Sequence, residues 1–166
     1  SVFSSAFTIL FMFWSLTILL KKLISKENEL STNNSIMILG SATIAALSFT
    51  FTDSFWYNAV EAEVYAMATF LIALLFWLGL RWEQEIDSLR GNKWLLIISL
   101  VIGLSFGVHF MALLTFPAIG FLYYFKKYKN ITIKSFIIAN IVIVAILLFI
   151  FKLLLPYTLG FFGKTE

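Results

Sequence analysis

The sequence predicts an all-α, polytopic membrane protein of about six spans, one pair of which forms a short helical hairpin. Three observations carry this reading. Of the 166 residues, 61% are hydrophobic and 13% are charged, and a soluble domain needs roughly a quarter of its residues charged to cover its surface. The apolar residues gather into runs of span length, separated by short polar loops. The basic residues are concentrated in three of those loops, the pattern that orients helices in a bilayer. The bilayer is therefore the solvent, and the net charge of +3 bears on orientation rather than on nucleic acid, which is not an expected partner. No cysteine is present, which excludes disulfides and thiolate metal sites.

The first span runs from Val2 to Leu20, long enough at 1.5 Å per residue to cross roughly 30 Å of hydrocarbon. Lys21, Lys22 and Lys26 follow, with Glu27, Glu29 and a Ser31-Thr32-Asn33-Asn34 cluster that reads as loop. Ser35 is placed to cap a second span over 36–52, where Gly40, Ser41, Ala42, Ala45 and Ala46 allow close helix approach. A third span covers 64–80 and ends in the charged segment Arg81 to Lys93.

The next apolar run, Trp94 to Phe125, is too long for one untilted helix and short for two full spans. Basic residues flank both of its ends, so an even number of crossings is required. It is predicted as a hairpin of two shortened helices, 94–106 and 110–125, turning near Gly107-Val108-His109. The last span, 136–155, closes at Pro156, with Lys152 placed to snorkel outward. Six crossings put the loops at 21–35, 81–93 and 126–135 on the cytoplasmic side of a bacterial-type inner membrane. Those loops hold every Lys and Arg except Lys152 and Lys164. The apolar run starts at the first residue, without an initiator Met or a charged leader, so the chain reads as an internal or truncated piece of a longer protein.

This topology collects Asp53, Glu61, Glu63 and His109 on the outer side. The stretch Asp53 to Tyr65 holds three carboxylates and four aromatic rings and no Lys or Arg, and carboxylates at the mouth of two spans mark a functional-site candidate. On one continuing helix Tyr57, Glu61 and Tyr65 share a stripe, while Glu61 and Glu63 diverge by about 200°. Each residue also has a plainer role. Glu63 can complement a helix dipole, Trp56 and Tyr57 can form an interfacial aromatic belt, and Asp53 can serve as an N-cap. His109, the one histidine, suits proton transfer, anion binding or metal coordination, or a structural hydrogen bond. No phosphate-binding glycine loop, zinc signature or nucleophile elbow is present.

Three segments carry a family resemblance: Ser-Ser-Ala-Phe-Thr-Ile-Leu-Phe at 4–11, Ser-Phe-Trp-Tyr-Asn-Ala-Val-Glu-Ala-Glu-Val-Tyr-Ala at 54–66, and Gly-Leu-Ser-Phe-Gly-Val-His at 103–109. Together the chain resembles a bacterial family of large multi-span membrane proteins of uncharacterised function. That family is similar to a eukaryotic transmembrane protein O-mannosyltransferase, and so to the GT-C glycosyltransferases. The resemblance implies a GT-C-like fold and transfer of a sugar from a polyprenyl-phosphate donor to a protein or glycan acceptor at the outer face, with a divalent metal as an optional cofactor. It further implies that the main catalytic acid lies in an outer loop upstream of this chain, and that Glu61, Glu63 and His109 line the donor or acceptor cavity. Two other classes compete: a transporter or channel module using the same acids and histidine, and a non-catalytic membrane scaffold.

Overall fold

The computed structural model describes residues 1–24, 31–61, 64–88, 91–128 and 130–162. Among them every regular element is a helix: α1 (Val2–Ile24), α2 (Thr32–Thr50), α3 (Asp53–Val60), α4 (Tyr65–Glu85), α5 (Gly91–Ser105), a 3₁₀ helix (Phe110–Thr115), α6 (Phe116–Lys127), α7 (Ile133–Phe149), a π-helical turn (Ile150–Leu154) and α8 (Leu155–Phe162). The polytopic all-α reading holds. Three helical stretches are long and apolar enough to cross a membrane, Val2–Ile24, Tyr65–Glu85 and Ile133–Tyr157; α2 joins them if it is taken with α3, which bends from it by 66°. Helix α5 is apolar but shorter. The chain divides into two compact units, Ser1–Thr115 and Phe116–Glu166.

In the first unit α1 and α4 run parallel. Ser4 meets Met67, Phe7 and Phe11 meet Phe70, Phe11 and Trp14 meet Trp77, and Lys22 pairs with Glu83, so both sequences advance in the same direction. Helix α4 is the centre of this unit, packing on α1, α5 and the 3₁₀ helix, and it buries Leu71, Leu75, Leu78, Leu80 and Trp82. On α2 the small residues are used selectively. Ala42 and Ala46 are buried together with Ile38, one helical turn apart, whereas Gly40 faces open space. Hydroxyls inside the apolar helices mostly fold back on their own backbone, as with Thr8 onto the Ser4 carbonyl and Thr17 onto the Phe13 carbonyl, both at 2.9 Å. That satisfies a polar atom where water is absent. Ser5 Oγ and Ser15 Oγ are buried without such a partner.

Helix ends depart from the sequence expectations for local reasons. Helix α1 continues past Leu20 through Lys21 and Lys22 to Ile24, since lysines are good helix formers that complement the dipole in a last turn. Ser31 rather than Ser35 caps α2: its hydroxyl accepts the Asn34 N–H at 3.2 Å, and the polar cluster becomes the first turn. Helix α4 runs five residues beyond its expected end because Arg81 reaches Gln84 and Glu85 one turn ahead, at 3.0 and 2.9 Å. The second arm of the expected hairpin does not form one helix over 110–125. It runs as a 3₁₀ helix to Thr115 and as α-helix from Phe116. Pro117 lacks the N–H that a continuous α-helix would donate to Leu113, and it fits only in a first turn.

In the second unit α6 and α7 form an antiparallel hairpin. Tyr124 Oη and Ser135 Oγ lie 2.7 Å apart near the connection, while Gly120 sits against Ile143 at the far end. The Phe136 ring is flanked by Phe121, Tyr124 and Phe125. A capping box formed by Thr132 and Ser135 starts α7.

Candidate functional site

One end of the first unit gathers α3, the start of α4 and the segment after α5. Helix α2 stops at Thr50, and the Phe51 and Thr52 N–H groups bond to the Ser48 and Phe49 carbonyls at 3.3 and 3.1 Å. These tight bonds use up the last carbonyls and turn the chain into α3. The N-cap of α3 is Thr52, not Asp53 as expected; the Thr52 hydroxyl turns back to the Phe49 carbonyl at 2.8 Å, and Asp53 stands exposed in the first turn, where its charge complements the dipole. Phe55 anchors the helix, buried with its ring centroid 4.8 Å from that of Phe49. Trp56 and Tyr57 point away from that anchor and are exposed, Trp56 lying nearly parallel to Phe51.

The Tyr57, Glu61, Tyr65 stripe does not form. Helix α3 ends at Val60, and Glu61 takes an extended conformation (φ −77°, ψ 148°) while its N–H still bonds to the Tyr57 carbonyl at 3.0 Å. The chain re-enters helix at Tyr65. A carboxylate is poorly placed at a helix C-terminus, where the dipole is negative, and this opposes continuation through Glu61. Glu61 is therefore an exposed side chain on a break between two helices. Glu63 lies outside the described residues.

His109 comes from the other direction. Three turn bonds after α5, from Phe106, Gly107 and Val108 to Gly103, Leu104 and Ser105, lead to the His109 N–H donating to the Ser105 carbonyl at 2.9 Å. The turn expected at 107–109 is present. Gly107 is not a steric necessity there, since it has no positive φ and an added Cβ would meet only the Leu104 carbonyl at 3.6 Å. The Met111 N–H donates to His109 Nδ1 at 3.2 Å, so the neutral ring carries its proton on Nε2 and keeps that atom as a donor. The imidazole packs on Tyr65, with centroids 5.6 Å apart.

The structure thus brings Tyr65 and His109 together and leaves Asp53, Trp56, Tyr57 and Glu61 on the exposed helix and break beside them. No Lys or Arg occurs between Lys26 and Arg81 or between Lys93 and Lys126, so the imidazole is the one side chain of these segments that can become cationic. Among the described residues no three His, Asp or Glu side chains lie close enough to hold a metal ion.

Sequence reasoning missed two features. Ser105 is completely buried, with its hydroxyl on the Ile102 carbonyl at 2.6 Å and its carbonyl holding His109 in place; a hydroxyl four residues before the lone histidine was the available signal. At the opposite end of α4, Glu85 accepts from Arg81 at 2.9 Å and from Trp94 Nε1 at 3.0 Å, and the Arg81 guanidinium lies 5.4 Å from the Trp94 ring centroid. Arg81, expected only to set orientation, joins α4 to α5.

No curated protein and no solved structure matches the chain. The family described as "Protein O-mannosyl-transferase TMEM260 N-terminal domain" matches residues 1–132, which include the whole first unit and all of the candidate site. The chain belongs to this glycosyltransferase-related family of membrane proteins.

Proposed function

We propose that this chain is a membrane-embedded part of a GT-C-type glycosyltransferase, moving a sugar from a polyprenyl-phosphate donor to an acceptor hydroxyl at the outer face of the membrane. The family match over residues 1–132 carries the reading, and the family's name points to mannose as the sugar. In this reading six crossings set the basic loops on the cytoplasmic side, and Asp53, Glu61, Glu63, Tyr65 and His109 line one wall of an outer cavity. The chemistry is displacement at the anomeric carbon with a lipid phosphate as leaving group. A carboxylate from a segment outside this chain takes the acceptor proton. His109 Nε2 donates a hydrogen bond to substrate, and Glu61 accepts from a sugar or acceptor hydroxyl.

Glu61→Gln and, separately, His109→Ala in the full-length protein test this, with sugar transfer to acceptor as the readout. Loss of transfer with normal membrane insertion is expected. Wild-type transfer in both variants would remove these residues from the cavity.

A further inference from the structure

Lys152 is a cation that the proposed function leaves unused, and three observations single it out. It lies 18 residues after Lys134 in the apolar stretch Ile133–Tyr157, about 27 Å along a helix axis at 1.5 Å per residue. That separation is close to the roughly 30 Å thickness of the hydrocarbon layer, so with Lys134 at one headgroup plane Lys152 reaches the other. It is exposed and makes no ion pair among the described residues. From Phe116 to Thr165 the sequence contains no Asp or Glu. A lysine at this depth needs a counter-charge, and the anion available at a headgroup plane is phosphate.

The backbone around Lys152 is also specialised. Residues Ile150–Leu154 form a π-helical turn in which the Leu155 N–H donates to the Ile150 carbonyl. Pro156, which has no N–H, follows immediately. The α-helical partners of the Phe151 and Lys152 carbonyls are thereby removed, one diverted and one absent. A π-turn inside a helix rotates the following side chains and often marks a functional position. A carbonyl released from its α-helical bond inside a membrane takes another partner, from protein or a wet cavity.

We infer that Lys152 and the π-turn form a phosphate-binding position at the headgroup plane opposite Lys134, in a segment beyond the family match. The phosphate comes either from a polyprenyl-phosphate carrier or from a bilayer phospholipid. The first source rests on the function proposed above, whereas the cation site itself does not.

The test uses the full chain in phosphatidylcholine nanodiscs, with a short polyprenyl monophosphate as probe and phosphatidylglycerol in a parallel arm, binding being read by native mass spectrometry. Lys152→Gln is expected to lose roughly tenfold in affinity for the monophosphate, with Lys152→Arg restoring most of it and Lys134→Gln leaving it unchanged. An equal Lys152-dependence for phosphatidylglycerol supports the site and assigns it to headgroups rather than to a sugar carrier. If Lys152→Gln retains helix content and binds both lipids as the wild type does, the site is refuted. Because this binding is read without any sugar transfer, failure of the site is separated from failure of the transferase reading.

Discussion

Tyr65 and His109 meet ring to ring, their centroids 5.6 Å apart and their planes inclined by 48°. One is the first residue of α4 and the other follows the turn after α5, so the pair ties two helix ends that are distant in sequence. The ring contact, together with the Met111 N–H on Nδ1, leaves Nε2 as the imidazole atom available to a ligand.

The pair should act as a unit. In the full-length protein Tyr65→Ala and His109→Ala are each expected to reduce sugar transfer about tenfold, equivalent to about 1.4 kcal/mol of barrier. The double variant should be little worse than either single one. Multiplicative losses would show that the two residues act independently.

Parallel α1 and α4 make a register prediction that the cysteine-free background permits. Ser4 Oγ lies 3.5 Å from Met67 Sδ, so a Ser4→Cys, Met67→Cys variant should cross-link on mild oxidation. A Ser4→Cys, Glu83→Cys variant should not, because Glu83 pairs with Lys22 at the other end. Electrophoretic mobility with and without reductant distinguishes the two. Cross-linking of the second pair alone would require antiparallel helices.

Gly91 is fixed by backbone. A Cβ there would come within 2.9 Å of both the Glu85 and Ile86 carbonyl oxygens, neither of which can rotate aside. Gly91→Ala should therefore destabilise the α4–α5 connection by about 1–3 kcal/mol, the usual cost of overpacking, and lower the thermal midpoint in detergent. An unchanged midpoint would mean that the turn relaxes freely.

At Gly120 the obstacle is a side chain. A Cβ would lie 3.0 Å from Ile143 Cγ1, and Ile143 is buried. Gly120→Leu should loosen the α6–α7 hairpin by a similar ~1–3 kcal/mol, and adding Ile143→Ala should recover part of that loss. Absence of any recovery in thermal unfolding would place the strain elsewhere.

Much of the fold was legible because apolar runs of span length admit little besides helices in lipid. The end of α5 near Ser105 lies close to the break expected at Gly107-Val108-His109. The interruptions were harder to read. A period of 3.6 residues carried Tyr57, Glu61 and Tyr65 onto one face, but periodicity does not register the extended conformation that Glu61 takes at the end of α3. The 3₁₀ helix before Pro117 was not expected, although the proline's missing N–H, which acts four residues upstream, was the available signal.

The sequence by itself determined the apolar solvent and the helical class, because charge and hydropathy are additive along a chain and need no partner. Only the tertiary structure decided that α1 and α4 run parallel, that Arg81 bridges to Trp94 through Glu85, and that His109 rests on Tyr65 while Glu61 stands on a helix break. These depend on which side chains can approach one another once α3 has turned the chain by 66°. Packing between helices in lipid is set by shape and hydrogen bonding rather than by hydrophobicity, and hydropathy therefore carries no record of it.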